Sequence, residues 1–213
     1  MSTAAIVDYG VGNLFSLTGA LRRLGAPTVV TSDADAIRAA DAIILPGVGA
    51  FGDAAARLRA SGLADVLDER IGAGVPLMGI CLGMQLLFER SFEYGEHAGL
   101  GYLPGSVVPL SEAFARDGID LKVPHMGWNA LDRVRDDVLI ADVPEGACVY
   151  FVHSYVADAR SEHLVATAGY GIDVPAIVRA GNVCGCQFHP EKSGDVGLSI
   201  LAAFLDDAKG GRI

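Results

Sequence analysis

Positive charge is in short supply: 16 Lys and Arg stand against 26 Asp and Glu, a formal net charge of −10 over 213 residues. An acidic surface repels a phosphate backbone, which argues against a reader of nucleic acid. Long apolar runs are missing too; no stretch reaches the roughly 18 apolar residues that a membrane-crossing helix needs. The first ten residues, MSTAAIVDYG, have neither the charged start nor the apolar stretch of a secretory signal. Cysteine is limited to Cys81, Cys148, Cys184 and Cys186, all in apolar segments and without the spacing of a small disulfide scaffold. Free thiols in a cytoplasmic chain are therefore expected, with Cys148, Cys184 and Cys186 buried. Cys184 and Cys186 share a strand face, but no second pair joins them, and the five histidines are scattered without zinc-ligand spacing. Neither a metal nor another cofactor is expected. What the chain does have is 51% hydrophobic residues, enough for a buried core, and 27 glycines clustered where the backbone must turn sharply or approach a ligand.

Short apolar runs alternate with helical patterns through the first ninety residues. Strands are predicted over 4–7, 28–30, 42–45 and 76–80. Helices are predicted over 14–24, 33–39, 53–71 with a break near Gly62, and 82–89. That alternation predicts an α/β fold, an open sheet covered by helices on both faces, with its site in loops at the carboxyl ends of the strands. From about residue 91 to 120 the pattern loosens. Strand-like runs follow at 121–123, 147–152, 164–170, 176–178 and 183–188, predicted as additions that make the sheet mixed, mostly parallel. A last helix is predicted over 196–208. No repeat, low-complexity stretch or dividing linker occurs, so residues 1–213 read as a single domain.

The most informative segment is GICLGMQLLF, from Gly79 to Phe88. An apolar strand leads into G-x-C-x-G and then a helix, the cysteine counterpart of a nucleophile elbow. Glycines sit two residues either side because a sharp strand-to-helix turn leaves no room for side chains. The turn puts Cys81 at a helix N-terminus, suited to a nucleophilic sulfur, and aims the Leu82 N–H at a developing oxyanion. A cysteine packed between glycines for close helix–sheet contact is the alternative. A nucleophile needs a base and the base an orienting group. QFHPEKSG supplies both just beyond a strand end: His189 and Glu191 are two residues apart, and Pro190 fixes the chain between them. Gln85 lies four residues past Cys81, one helical turn along the same face.

A cysteine elbow followed about a hundred residues later by H-P-E resembles the class I, triad-type glutamine amidotransferase family, over essentially the whole chain. Four further motifs, DYGVGNL at 8–14, PGVGAFG at 46–52, VPHMGWN at 123–129 and YFVHSY at 150–155, look like the branch of that family that serves histidine biosynthesis. The resemblance implies a flavodoxin-like sheet and a reaction in which Cys81 attacks the glutamine amide, His189 moves the protons and Glu191 orients His189. It implies an oxyanion site from the N–H of Leu82 and one of Val48 or Gly49. Gln85, Glu93, Ser154 and Tyr155 would hold the amino-acid end of glutamine. The ammonia would pass directly to a cyclase subunit built as a (β/α)8 barrel, making a heterodimer. That cyclase forms imidazole glycerol phosphate and an aminoimidazole carboxamide ribotide. Asn13, Trp128, Tyr150 and Lys192 match positions at or near that interface. Read from residues alone, YFVHSY is also an aromatic-rich core strand, Trp128 a core aromatic, and DYGVGNL a phosphate-cradling loop. A glutaminase serving another acceptor and a flavodoxin-like nucleotide-binding module with a structural Cys81 stay open as alternatives.

Overall fold

A computed structural model describes residues 3–210. Its first half is the predicted alternation: β1 (Ala4–Val7), α1 (Leu14–Arg23), β2 (Thr28–Thr31), α2 (Ala34–Arg38), β3 (Ala42–Gly47), α3 (Phe51–Ala60), α4 (Leu63–Gly72), β4 (Leu77–Cys81) and α5 (Leu82–Leu86). Local chemistry sets several boundaries. Asn13 caps α1 by accepting from the Ser16 N–H at 3.4 Å, and Asp33 caps α2 by accepting from Asp35 at 2.7 Å and Ala36 at 3.2 Å. Gly62, at φ +74°, parts α3 from α4.

The second half carries β5 (Phe88–Ser91), β6 (His97–Ala98), β7 (Leu103–Pro109), α6 (Leu110–Asp117), β8 (His125–Ala130), β9 (Asp132–Arg133), β10 (Cys148–His153), β11 (Tyr155–Ala159), β12 (Leu164–Tyr170), β13 (Ile172–Ala180), β14 (Val183–Cys186) and α7 (Gly194–Asp207). The main sheet runs β2-β1-β3-β4-β14-β13-β12-β9. The first five strands are parallel and the last three antiparallel. The sheet is therefore open, mixed and mostly parallel. A second sheet, β11-β7-β5-β6, and a two-stranded ribbon, β10-β8, lie outside it.

The inner parallel strands β1, β3, β4 and β14 are buried at every position, between helices on both faces, whereas β2 at the edge is TVVT and only partly buried. In β1, Ala4 and Ile6 belong to one core cluster and Ala5 and Val7 to the other. The same division separates Ile44 from Ile43 and Leu45 in β3, as two-residue periodicity requires. Among the described residues no helix is long and apolar enough to cross a membrane.

Three local expectations are corrected. Residues 121–123 are not a strand; β8 begins at His125, after Pro124, which has no N–H to give to a ladder. The helix predicted over 82–89 stops at Leu86, because Phe88–Ser91 pairs with β7 as a strand. The loosened stretch 91–120 holds two strands and α6; the burial along β7 does not alternate, so no period marks it.

Three glycines let α5 settle on the sheet. A Cβ on Gly79 would meet the Gly83 carbonyl oxygen at 2.6 Å, one on Gly47 the Gly83 nitrogen at 2.7 Å, and one on Gly83 would run into the Leu45 carbonyl. Gly83→Ala is expected to destabilise the fold by about 1–3 kcal/mol or more, since backbone rather than a side chain stands in the way. A denaturation midpoint equal to wild type would contradict this packing.

Candidate active site

The end of β4 turns sharply into α5 at Cys81, whose φ of 55° and ψ of −112° place a non-glycine residue in a sparsely populated region. The strain is imposed by the close seating of α5 on β3. Adjacent strands end level, with Gly47 of β3 paired to Cys81 of β4, so the PGVG loop emerges beside the sulfur. Cys81 Sγ lies 3.9 Å from the Val152 carbonyl oxygen and 3.7 Å from Gln187 Nε2.

His189 follows β14. Its backbone N–H donates to the Tyr150 carbonyl at 3.0 Å, and its Nδ1 lies 2.9 Å from Glu191 Oε1 in the turn Pro190–Lys192. That contact leaves Nε2 for the sulfur. Both side chains are buried. Burial pulls the His189 value down, but hydrogen bonds and charge from Cys81 and Glu191 outweigh it and raise the ring from the usual 6.5 to about 9.

A cavity of about 440 Å³ opens on the sulfur. Its wall brings together Val48, Gly49, Leu82, Gln85, Glu93, Ser154 and Tyr155 with Cys81 and His189. Gln85 is buried, and its Nε2 donates to the Tyr155 carbonyl at 3.1 Å and to Gln187 Oε1 at 2.9 Å. Glu93 is buried too, and its carboxylate accepts from the Phe51 N–H at the start of α3. Gly49 sits at φ +92° with open space around it. The Tyr9 hydroxyl of DYGVGNL donates to the Pro46 carbonyl at 2.7 Å, tying that motif to the PGVG loop; burial pushes Tyr9 well above the usual tyrosine range.

Trp128 is 56% exposed and not a core aromatic. It packs edge-on to Tyr150, its register partner across the ribbon, at 5.9 Å, and Lys192 Nζ lies 5.9 Å from the Tyr150 ring centroid. Asn13 stands apart from this cluster, lining a small crevice with Pro46, Val48, His189 and Glu191. Cys184 and Cys186 are buried, and burial pushes both thiols up. Cys148 is exposed, against expectation. The apolar run around it suggested cover on both faces, but β10 lies in a ribbon that buries only Val149, Phe151 and His153. Sequence reading gave no role to Gln187, His125 or Tyr94, and took His153 only as a core histidine satisfied by a hydrogen bond. Gln187, His125 and His153 lie inside motifs already singled out, where the motif was legible but the direction of each side chain was not.

The model of the family described as glutamine amidotransferase class-I matches residues 5–208. The chain belongs to the class I glutamine amidotransferases. Among curated relatives of this amidotransferase, imidazole glycerol phosphate synthase subunit HisH of Lactococcus lactis subsp. lactis is 46% identical over 208 residues, 97% of this chain and 100% of the relative. The protein of that name from Bacillus licheniformis is 52% identical over 200 residues, 93% of each chain. Among solved structures, a glutamine amidotransferase superposes with a TM-score of 0.73 at 23% identity, covering 97% of this chain and 98% of that one. PurLQS from Thermotoga maritima superposes with a TM-score of 0.74 at 21% identity, covering 97% and 98%. At these identities the two structures speak for the fold.

The raised His189 value fixes the sign of a pH effect in this amidotransferase. A histidine that holds its proton more tightly folded than unfolded stabilises fully below the unfolded value of 6.5, and loses that contribution as pH rises through about 9. Urea unfolding should show the largest stability gap between wild type and His189→Gln near about pH 6, closing toward about pH 9.5. A gap that widens with pH would reverse the assignment of His189 as the charged partner.

Proposed function

We propose that Cys81, His189 and Glu191 form the glutaminase triad of a subunit of imidazole glycerol phosphate synthase. The chain hydrolyses glutamine to glutamate and ammonia and passes the ammonia to a cyclase. With it the cyclase forms imidazole glycerol phosphate and an aminoimidazole carboxamide ribotide in histidine biosynthesis. The observation that carries this reading is the convergence of a strained cysteine, the Glu191-held imidazole and the cavity wall in a chain with full-length relatives of that name. The partner is read as a (β/α)8 barrel, docking near Trp128, Tyr150 and Lys192, with Asn13 behind the PGVG loop.

The chemistry follows from the geometry. Cys81 Sγ attacks the side-chain amide carbon of glutamine, its proton already held by His189 Nε2. The resulting oxyanion is met by the N–H of Leu82 and one from Val48 or Gly49. The carbon–nitrogen bond breaks as His189 gives its proton to the departing ammonia, leaving a γ-glutamyl thioester. Water attacks that thioester, His189 takes its proton, and the thiol returns as glutamate leaves. Glu191 keeps the imidazole turned and balances its charge. Gln85, Glu93, Ser154 and Tyr155 hold the amino-acid end. Ammonia must not escape, because protonation in water removes its nucleophilicity; hence the need for a docked acceptor in the cytoplasm.

Cys81→Ala is expected to remove glutamine-dependent synthesis by the complex, by several orders of magnitude, and to leave ammonia-dependent synthesis intact. Wild-type glutamine turnover in that variant would sink the nucleophile assignment. The open surroundings of Gly49 let its peptide take more than one orientation, so an oxyanion donor can be withheld until the partner docks. Steady-state assays should then show glutaminase activity rising about 100- to 1,000-fold from the isolated chain to the complex with a ligand on the cyclase. Equal rates would mean a preformed oxyanion site.

A further inference from the structure

Next to the triad, two buried histidines stand in a line of hydrogen bonds that is one proton short. The line starts at the Gly169 carbonyl, which accepts from Asn129 Nδ2 at 2.9 Å. That donation turns Asn129 Oδ1 toward His125 Nε2, 2.8 Å away, so His125 Nε2 must carry hydrogen. At the far end the Tyr155 carbonyl oxygen lies 2.8 Å from His153 Nδ1, so that nitrogen carries hydrogen as well. The two remaining nitrogens, His125 Nδ1 and His153 Nε2, face each other at 2.9 Å. A neutral imidazole has one N–H, and each ring has already used it on an oxygen. Two neutral rings would meet lone pair to lone pair. Turning over either ring would set carbon atoms at these distances. Turning over Asn129 would set its oxygen against the Gly169 carbonyl.

One added proton, taken from solvent, completes the line. Burial opposes the charge on each ring taken singly and lowers both values, and at His153 the neighbouring His125 and His189 oppose it further. The aromatic neighbours favour the charge. The His125 ring is stacked between Tyr170, at 4.0 Å and 13°, and Phe151, at 4.7 Å and 20°, so an imidazolium there would lie against two aromatic faces. The titratable groups around the pair are Tyr170 behind His125, and Cys81, His189, Glu93, Tyr94 and Tyr155 around the cavity that His153 lines. Among the described residues, neither ring has a carboxylate at ion-pair distance; His189 is the histidine that does. A charge on the pair thus lacks a protein counter-ion and sits beside Ser154 and Tyr155.

The geometry points to a shared proton that makes His125 and His153 one buried monocation, whose missing counter-ion is the α-carboxylate of glutamine. The inference rests on the glutamine site proposed above. His125 and His153 are positioning residues in it. The Tyr155 carbonyl, which accepts from both Gln85 and His153, holds the segment in place. The pair holds the charge that draws a carboxylate onto it.

Nitrogen NMR of the full chain, labelled at histidine and held near pH 7, tests the pair directly (pH ~7 is above the usual histidine value). The expected result is one low-field proton coupled to both His125 Nδ1 and His153 Nε2. Two unprotonated facing nitrogens would overturn the pair, and this measurement needs no glutamine turnover, so it stands or falls apart from the glutaminase reading. Steady-state kinetics of the His125→Gln complex test the positioning role, since His125 does not line the cavity. The glutamine KM is expected to rise about tenfold with kcat held within about threefold. An unchanged KM, or a loss confined to kcat, would overturn that role. The wild-type NMR result holds whether or not the variant folds.

Discussion

The seating of α5 on the Leu45 carbonyl governs the arrangement around Cys81. Only a glycine at position 83 lets the helix backbone come so near to β3. With α5 held there, the chain leaving β4 must turn within one residue, and Cys81 takes the left-handed conformation that its side chain disfavours. The helix start then faces the same sheet edge as the end of β3, so the PGVG loop and the Leu82 N–H border one cavity. Backbone strain at one residue is held by packing spread over two strands and a helix.

Around that edge a set of buried polar side chains satisfies itself almost entirely by hydrogen bonds. Gln85 bridges Gln187 and the Tyr155 carbonyl; Gln187 reaches back to the sulfur. The balance differs between neighbouring histidines. His189 meets a carboxylate and a thiol, and pairing overcomes burial. His153 meets another imidazole and a carbonyl, and burial prevails for the ring alone. The same residue type thus meets opposite electrostatic surroundings on the wall of one cavity.

The ribbon of β8 and β10 joins surface to site through the plain alternation of a strand. Tyr150 points outward to Trp128 and Lys192, while its carbonyl holds the His189 backbone. Phe151 and His153 point inward, and His125 on the facing strand completes the buried layer. A partner pressing on the outer row would touch the same backbone that holds His189.

Much of this was legible in the chain before any coordinates. The alternating strands and helices of the first ninety residues, and the G-x-C-x-G and H-P-E segments, are local signals. Each follows from neighbours in sequence: periodicity marks the elements, glycine spacing marks the turn, and Pro190 fixes the step from His189 to Glu191. The irregular stretch 91–120 was not legible, because its strands take their form from β11 and from one another. Nor was the exposure of Cys148, which depends on which face of a ribbon is left uncovered. The His125–His153 contact spans residues far apart in the chain and needs a distance of 2.9 Å to have any meaning. The sequence by itself determined the fold class and marked the cysteine turn and the H-P-E segment as the candidate reacting groups, since both rest on local pattern. The tertiary structure alone decided which side chains meet, because direction and burial are set by packing between segments that carry no record of each other.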